Sequence, residues 1–231
     1  TGALGDIISP SGQVNSYANV TSIASIDGTQ INIGTPSNGP YEKFDIGTEI
    51  MVHVSATSGT DTTESSVLGK YLVCKITAIS GSTLTLDKSV LTTIPSALFS
   101  KYQVQIITIA QFKTLTLTYN AITPPEYSVT NKYGGVVLIK CSDTISFSGG
   151  SINLAYKGIG NATYRNTTLQ EGSRGNDNSP YSAWENHMTS NYLMLNEKHG
   201  TVMIVAKHYL QTSTSGNIGG GSSGSAFTRD S

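Results

Sequence analysis

The chain has 231 residues and a formal charge of −1, from 14 Lys and Arg set against 15 Asp and Glu. Charged residues are only 13% of the total, about half the usual share of a soluble domain. That balance excludes a basic footprint for nucleic acid and the charge-rich profile of a disordered chain. It also holds no apolar run near the ~20 residues of a spanning helix.

Ser, Thr, Asn and 24 Gly take the place of charge, a composition expected of a β protein working outside the cytoplasm or on a virion. Neither a nucleic-acid partner nor membrane insertion is expected. The first residue is Thr1 and no charged and apolar leader pattern follows. The chain therefore reads as a processed product or a piece of something longer.

Residues 1–20 are polar and Gly-punctuated, without a clear period, and read as an N-terminal arm. Residues 21–124 read as a small antiparallel barrel or sandwich of short strands. Ile23 and Ile26 precede Asp27-Gly28, a hairpin signal, and Ile31 and Ile33 follow in alternation. Phe44-Asp45-Ile46-Gly47-Thr48-Glu49-Ile50-Met51-Val52-His53-Val54 comes next in this run of short strands separated by turn residues, with Ile46-Gly47-Thr48-Glu49 as a turn. Tyr71–Ile79 and Thr83–Asp87 form a second hairpin around a three-residue loop, Ser80-Gly81-Ser82. Thr114–Tyr119 alternates cleanly, and Pro124-Pro125 then breaks the ladder and marks the domain boundary. Cys74 and Cys141 fall in different apolar segments. Two cysteines make no disulfide framework, so both read as buried free thiols.

Residues 125–231 contain an internal repeat. Gly135-Val136-Val137-Leu138-Ile139-Lys140-Cys141 aligns with Gly200-Thr201-Val202-Met203-Ile204-Val205-Ala206. Asp143-Thr144-Ile145 then falls over His208-Tyr209-Leu210, and after a one-residue slip Ser151-Ile152 pairs with Asn217-Ile218. A strand, corner, strand and Gly turn that cannot bury its own face is the unit of a stacked solenoid. Ile139 and Ile204 are expected to stack, facing inward. About two rungs are expected, with an insertion at 156–197 and a Gly/Ser-rich C-terminal tail.

The stretch "SIDGTQINI … FDIGTEIMV … GKYLVCKITAISGSTLTLDKSV" resembles the small β-barrel that precedes a β-helical module in bacteriophage tail proteins and bacterial surface proteins. "GGVVLIKCSDTISFSGGSINLAYKG" is similar to the Gly-rich rung of right-handed β-helical modules in the same proteins. The resemblance implies an all-β fold, a small antiparallel barrel followed by a short right-handed parallel β-solenoid. It implies a non-enzymatic structural or host-recognition part of a phage tail, such as a fibre, spike or baseplate-associated protein. Its location would be the virion or a cell surface, and its partners copies of itself, other virion or surface proteins, and a host-surface glycan. A bacterial adhesin or surface-filament subunit is the first alternative, and a β-helical glycan depolymerase the second.

Chemistry-bearing residues are sparse. Paired carboxylates would serve glycan cleavage, but Asp143, Glu171, Asp177, Glu185 and Glu197 form no recognisable pair. His53, His187, His199 and His208 lack the spacing of a zinc element and read as surface or corner residues. Asn176-Asp177-Asn178 lacks the calcium-loop pattern. No catalytic residue, metal site or cofactor is expected. The candidate for a ligand or partner is the insertion's aromatic cluster, Tyr181, Trp184, His187 and Tyr192. Such side chains stack on sugar rings or anchor a protein surface. They serve equally as the small core that holds a long insertion together.

Overall fold

The computed structural model describes residues 3–58, 67–158, 200–211 and 218–219. The chain is all-β and has two parts. A closed barrel is built from β2 (Tyr17–Ile23), β3 (Gln30–Ile33), β4 (Glu49–Thr57), β5 (Tyr71–Ser80), β6 (Thr83–Leu86) and β7 (Tyr102–Thr108). Every pairing within it is antiparallel. Alternation places Ile31, Ile50, Val52, Val54, Cys74, Ile76, Leu84 and Ile106 in its core. Two short 3-10 turns, Val90–Thr92 and Ser96–Lys101, carry the chain from β6 to β7 and bury Val90 and Ile94.

The β5–β6 loop is tighter than the three residues expected. Ser80 pairs with Thr83, which leaves a two-residue turn. Gly81 takes its first central position at φ 58°, as a type II′ hairpin requires.

The second part is a stack of parallel coils, and it does not simply follow the barrel. Its first sheet has the order β1 (Asp6–Ile8), β9 (Thr114–Leu117), β11 (Val136–Phe147) and β13 (Thr201–Gln211), with β8 (Ala110–Phe112) beside β11. Its second sheet is β10 (Ala121–Ile122), β12 (Ser151–Asn153) and β14 (Ile218–Gly219). The residues expected to be a free arm form the first coil. Leu4 N–H donates to Gln111 O at 2.9 Å, Asp6 and Ile8 pair with Thr114 and Thr116, and Gly12 N–H donates to Ala121 O at 2.9 Å. Four coils are therefore present among the described residues, and the barrel is an insertion between the first two.

The expected boundaries at residues 20 and 124 shift accordingly. Tyr17–Val20 is already barrel strand, and β8, β9 and β10 before Pro124-Pro125 belong to the stack. Those strands have three, four and two residues, too few for periodicity to separate a rung from a barrel strand. A second repeat relates the second coil to the third: Ala110 lies beside Ile139 and Ala121 beside Ser151. The proline pair sits in the connection between the second and third coils, not between domains.

The 65-residue repeat holds on the first side. Val136 to Cys141 pair in order with Thr201 to Ala206, and Ile139 stands beside Ile204. Beyond the corner the expected register slips by one. Thr144 pairs with His208 and Ile145 with Tyr209, because a bulge between Cys141 and Thr144 gives β11 one extra residue. A one-residue slip exchanges the two faces of a strand. Leu210, set beside the inward-facing Ile145 by the unslipped alignment, is therefore exposed, while Tyr209 lies against Phe147 with ring centroids 5.6 Å apart. Ile152 pairs with Ile218 as expected.

The interior of the stack is ladders of similar side chains: Ala110, Ile139 and Ile204; Phe112, Cys141 and Ala206; Ile7, Leu115, Ile145 and Tyr209. A third cluster joins the two parts. Tyr17, Met51, Tyr71 and Ile107 on the outside of the barrel meet Tyr127, Val136 and Leu138 of the stack. This contact explains why β4 and β7 are buried on both faces, and why Val136–Ile139 is continuously apolar.

Candidate functional site

Every connection between coils leaves from one corner of the stack. The first, between Gly12 and Ala110, carries the barrel. The second spans 123–135 and the third 154–200. The roots are stitched together: Tyr127 N–H donates to Lys157 O at 3.3 Å, Gly200 N–H to Leu154 O at 2.9 Å, and Thr201 N–H to Gly135 O at 2.7 Å. The aromatic cluster Tyr181, Trp184, His187 and Tyr192 belongs to the third connection and lies outside the described residues. So do Glu171, Asp177, Glu185, Glu197 and His199. Its root is described: Tyr156 stands there 78% exposed, with φ 57°.

Away from that corner, the stack presents an outer face that is polar apart from the exposed Ile8 and Leu210. Alternation turns Leu115 and Ile145 inward, so Asp6, Thr114, Thr144 and His208 form one outward row. Ile8, Thr116, Ser146 and Leu210 form the next. Neighbours in a row are one strand apart, about 4.8 Å. Thr114 Oγ1 donates to Asp6 Oδ1 at 2.7 Å, and Lys113 Nζ lies 3.8 Å from Asp6 Oδ2. Tyr119, 92% exposed, follows β9. Asp143, the one described member of the carboxylate set, accepts from Thr144 Oγ1 at 3.1 Å at the bulge.

The seam between barrel and stack holds the buried polar chemistry. His53 is no surface histidine: it is fully buried on β4, its Nδ1 2.8 Å from Ser55 Oγ. Ser55 Oγ also accepts from Gln105 Nε2 at 2.8 Å. The Gln105 amide then pairs twice with the backbone of Gly134, accepting its N–H at 2.9 Å and donating to its carbonyl at 3.2 Å. Only glycine fits there, because a Cβ on Gly134 would stand 2.5 Å from Glu126 O. Asn15 does the same for Leu138, accepting its N–H at 3.1 Å and donating to its carbonyl at 2.7 Å. Tyr17 Oη donates to Val136 O at 2.6 Å, and Tyr127 Oη to Gln103 Oε1 at 2.9 Å. Burial raises both phenols far above the ordinary range, so they act as neutral donors.

At the edge of the seam, Glu49 receives Lys140 Nζ at 3.1 Å and Gln111 Nε2 at 2.9 Å on the same oxygen, Oε2. Glu42, close by, accepts the backbone N–H of Gln111, and burial raises its carboxyl above the usual range, with Asp45 adding to the effect. No sequence motif marks these groups, because residues 42, 49, 111 and 140 meet only through the insertion of the barrel. Cys74 and Cys141 are free and buried. Burial pushes both thiols up to about 12, which leaves them unreactive at neutral pH. Among the described residues no group of His, Cys, Asp and Glu could hold a metal ion, and no helix is long and apolar enough to cross a membrane.

No protein-family model and no curated protein matches the chain. Among solved structures it is similar to the tailspike protein gp49 from Pseudomonas phage LKA1, at 12% identity and a TM-score of 0.23. The similarity covers 62% of this chain and 25% of that one, so the chain spans about a quarter of the tailspike's length. Fold and site together define an all-β protein, a parallel coil stack with an antiparallel barrel set into it.

Proposed function

We propose that the chain is a non-enzymatic structural or host-recognition component of a bacteriophage tail: a fibre, spike or baseplate-associated part. It works on the virion with copies of itself and other virion proteins. The observation that carries this reading is the common corner from which the barrel and the segment bearing Tyr181, Trp184, His187 and Tyr192 both spring. A rigid stack that displays its insertions on one side is a scaffold for recognition. The outer rows of Thr, Ser and Asp, with Tyr119, give a host-surface glycan a second place to lie.

The test pairs chromatography and light scattering with a bacterial glycan array, on the full chain and on a variant with 159–199 replaced by a Gly/Ser linker. An oligomer that binds surface glycans, with binding weakened in the variant, supports the reading. A monomer that binds no glycan overturns it. Release of reducing ends from a bound polysaccharide would make the chain a depolymerase instead. Retention by bacterial cells of its own kind would make it an adhesin.

A further inference from the structure

We propose that Lys140 and Gln111 become joined by an intramolecular isopeptide bond, with Glu49 moving the protons. The two residues are direct cross-strand partners in the parallel ladder of β8 and β11, on strands about 4.8 Å apart. Both side chains reach the barrel side of the ladder, where Glu49 at the start of β4 meets them. One carboxylate oxygen, Glu49 Oε2, holds the amine nitrogen at 3.1 Å and the amide nitrogen at 2.9 Å. These are the nucleophile and the leaving group of an amide exchange, each within proton-transfer reach of one base. The second oxygen, Oε1, lies 3.3 Å from Lys140 Nζ.

The surroundings favour exchange over hydrolysis. Gln111 is 8% exposed and the Glu49 side chain 16%, while the Lys140 side chain is 36% exposed, so water reaches the amine more readily than the acyl group. The Gln111 backbone N–H is held by the Glu42 carboxyl, which fixes the strand that carries the amide. Nucleophile and acyl group are thus presented to each other by folding alone, the condition under which intramolecular reactions are strongly accelerated.

The step balances without a co-reactant. Glu49 takes a proton from the Lys140 ammonium, and the freed amine attacks Gln111 Cδ. The Nζ–Cδ bond forms, Glu49 returns the proton to Nε2, and the Cδ–Nε2 bond breaks. Ammonia departs, Glu49 carries the second Nζ proton to it so that it leaves as ammonium, and Glu49 ends as the carboxylate it began as. The product ties the second coil to the third beside the barrel, in a chain whose described cysteines form no bridge.

The experiment is the intact mass of the full chain, followed by peptide mapping, for the wild type, Lys140→Arg and Glu49→Gln. Arginine keeps a cation on Glu49 but stays protonated and cannot attack. The wild type is expected to be lighter than its sequence by one ammonia molecule, with a mapped peptide joining Gln111 to Lys140. Both variants are expected at full sequence mass. If Glu49→Gln fails to fold, Lys140→Arg alone decides. A wild type at full sequence mass after prolonged incubation at mildly alkaline pH overturns the proposal and leaves an ordinary ion pair. Ammonia loss without the joined peptide, or loss retained in Lys140→Arg, overturns it equally.

Discussion

In the barrel, β7 pairs with β2 on one side and β4 on the other, so each strand has two strand neighbours and no edge is left. The stack is less regular. β8 begins only at Ala110, and Val136–Leu138 of β11 therefore have no strand on the side of the second coil. Side chains borrowed from the chain that leads into the barrel fill that gap: the Asn15 amide on Leu138 and the Tyr17 hydroxyl on Val136. The barrel satisfies its backbone from within, by ladder bonds and by its own side chains, such as Asp87 on the Lys75 N–H and Lys88 on the Val73 carbonyl. The stack satisfies part of its own with the neighbour's side chains, so its integrity depends on the barrel being docked.

The strongest way to break that comparison is a cavity in each part. Ile139→Ala in the stack and Ile106→Ala in the barrel each remove a fully buried side chain and should each cost about 2–5 kcal/mol. Calorimetry should show one shared transition lowered by either change. Two transitions that move separately would mean that the seam does not couple the parts. A sharper probe is Asn15→Ala, which strands the buried N–H and carbonyl of Leu138. It should cost about 3 kcal/mol in urea unfolding. Asn32→Ala, half-buried on the barrel, loses the amide's bond to Ser22 Oγ at 2.9 Å and the one its oxygen accepts from Thr83 Oγ1 at 2.6 Å, and should cost about 1 kcal/mol. Equal losses would deny the stack its special dependence.

The smallest effect concerns pH. The carboxyl of Glu42 is raised on folding, so the folded state holds its proton more tightly than the unfolded chain does. Its contribution is present in acid and is lost as pH rises through the raised value. At neutral pH the charged group is therefore a burden. Glu42→Gln should add about 0.3 kcal/mol at pH 7, after allowance for partial exposure, and nothing near pH 4. A gain that persists in acid would point to packing instead.

The paired rung of Val136–Cys141 and Thr201–Ala206 was legible because both strands are long and inward-facing residues recur in both copies. The hairpins at Asp27-Gly28 and Gly81 were legible because positive φ selects glycine. The first coil was not, because Leu4, Ile7 and Gly12 are too few to declare a period, and their partners lie about a hundred residues away. The bulge at Ser142 and Asp143 leaves no composition signal, yet it decides which of Tyr209 and Leu210 faces inward. The seam was illegible for the same reason as the first coil. Gln103, Gln105, His53 and Asn15 are ordinary polar residues until a distant strand arrives beside them, and the aromatic cluster singled out by composition lies outside the described residues.

The barrel's first and last strands are antiparallel neighbours, with Tyr17 beside Ile107. The chain therefore leaves the stack and comes back to it about 5 Å away. To the host coils the whole barrel is a loop with its ends already closed, so its length adds almost nothing to the entropy of joining the first coil to the second. A module attached in this way is exchangeable. Any unit whose ends meet at strand spacing, and which keeps Asn15 on Leu138 and a hydroxyl on Val136 O, could be grafted at the same corner, leaving the register of the coils above and below unchanged.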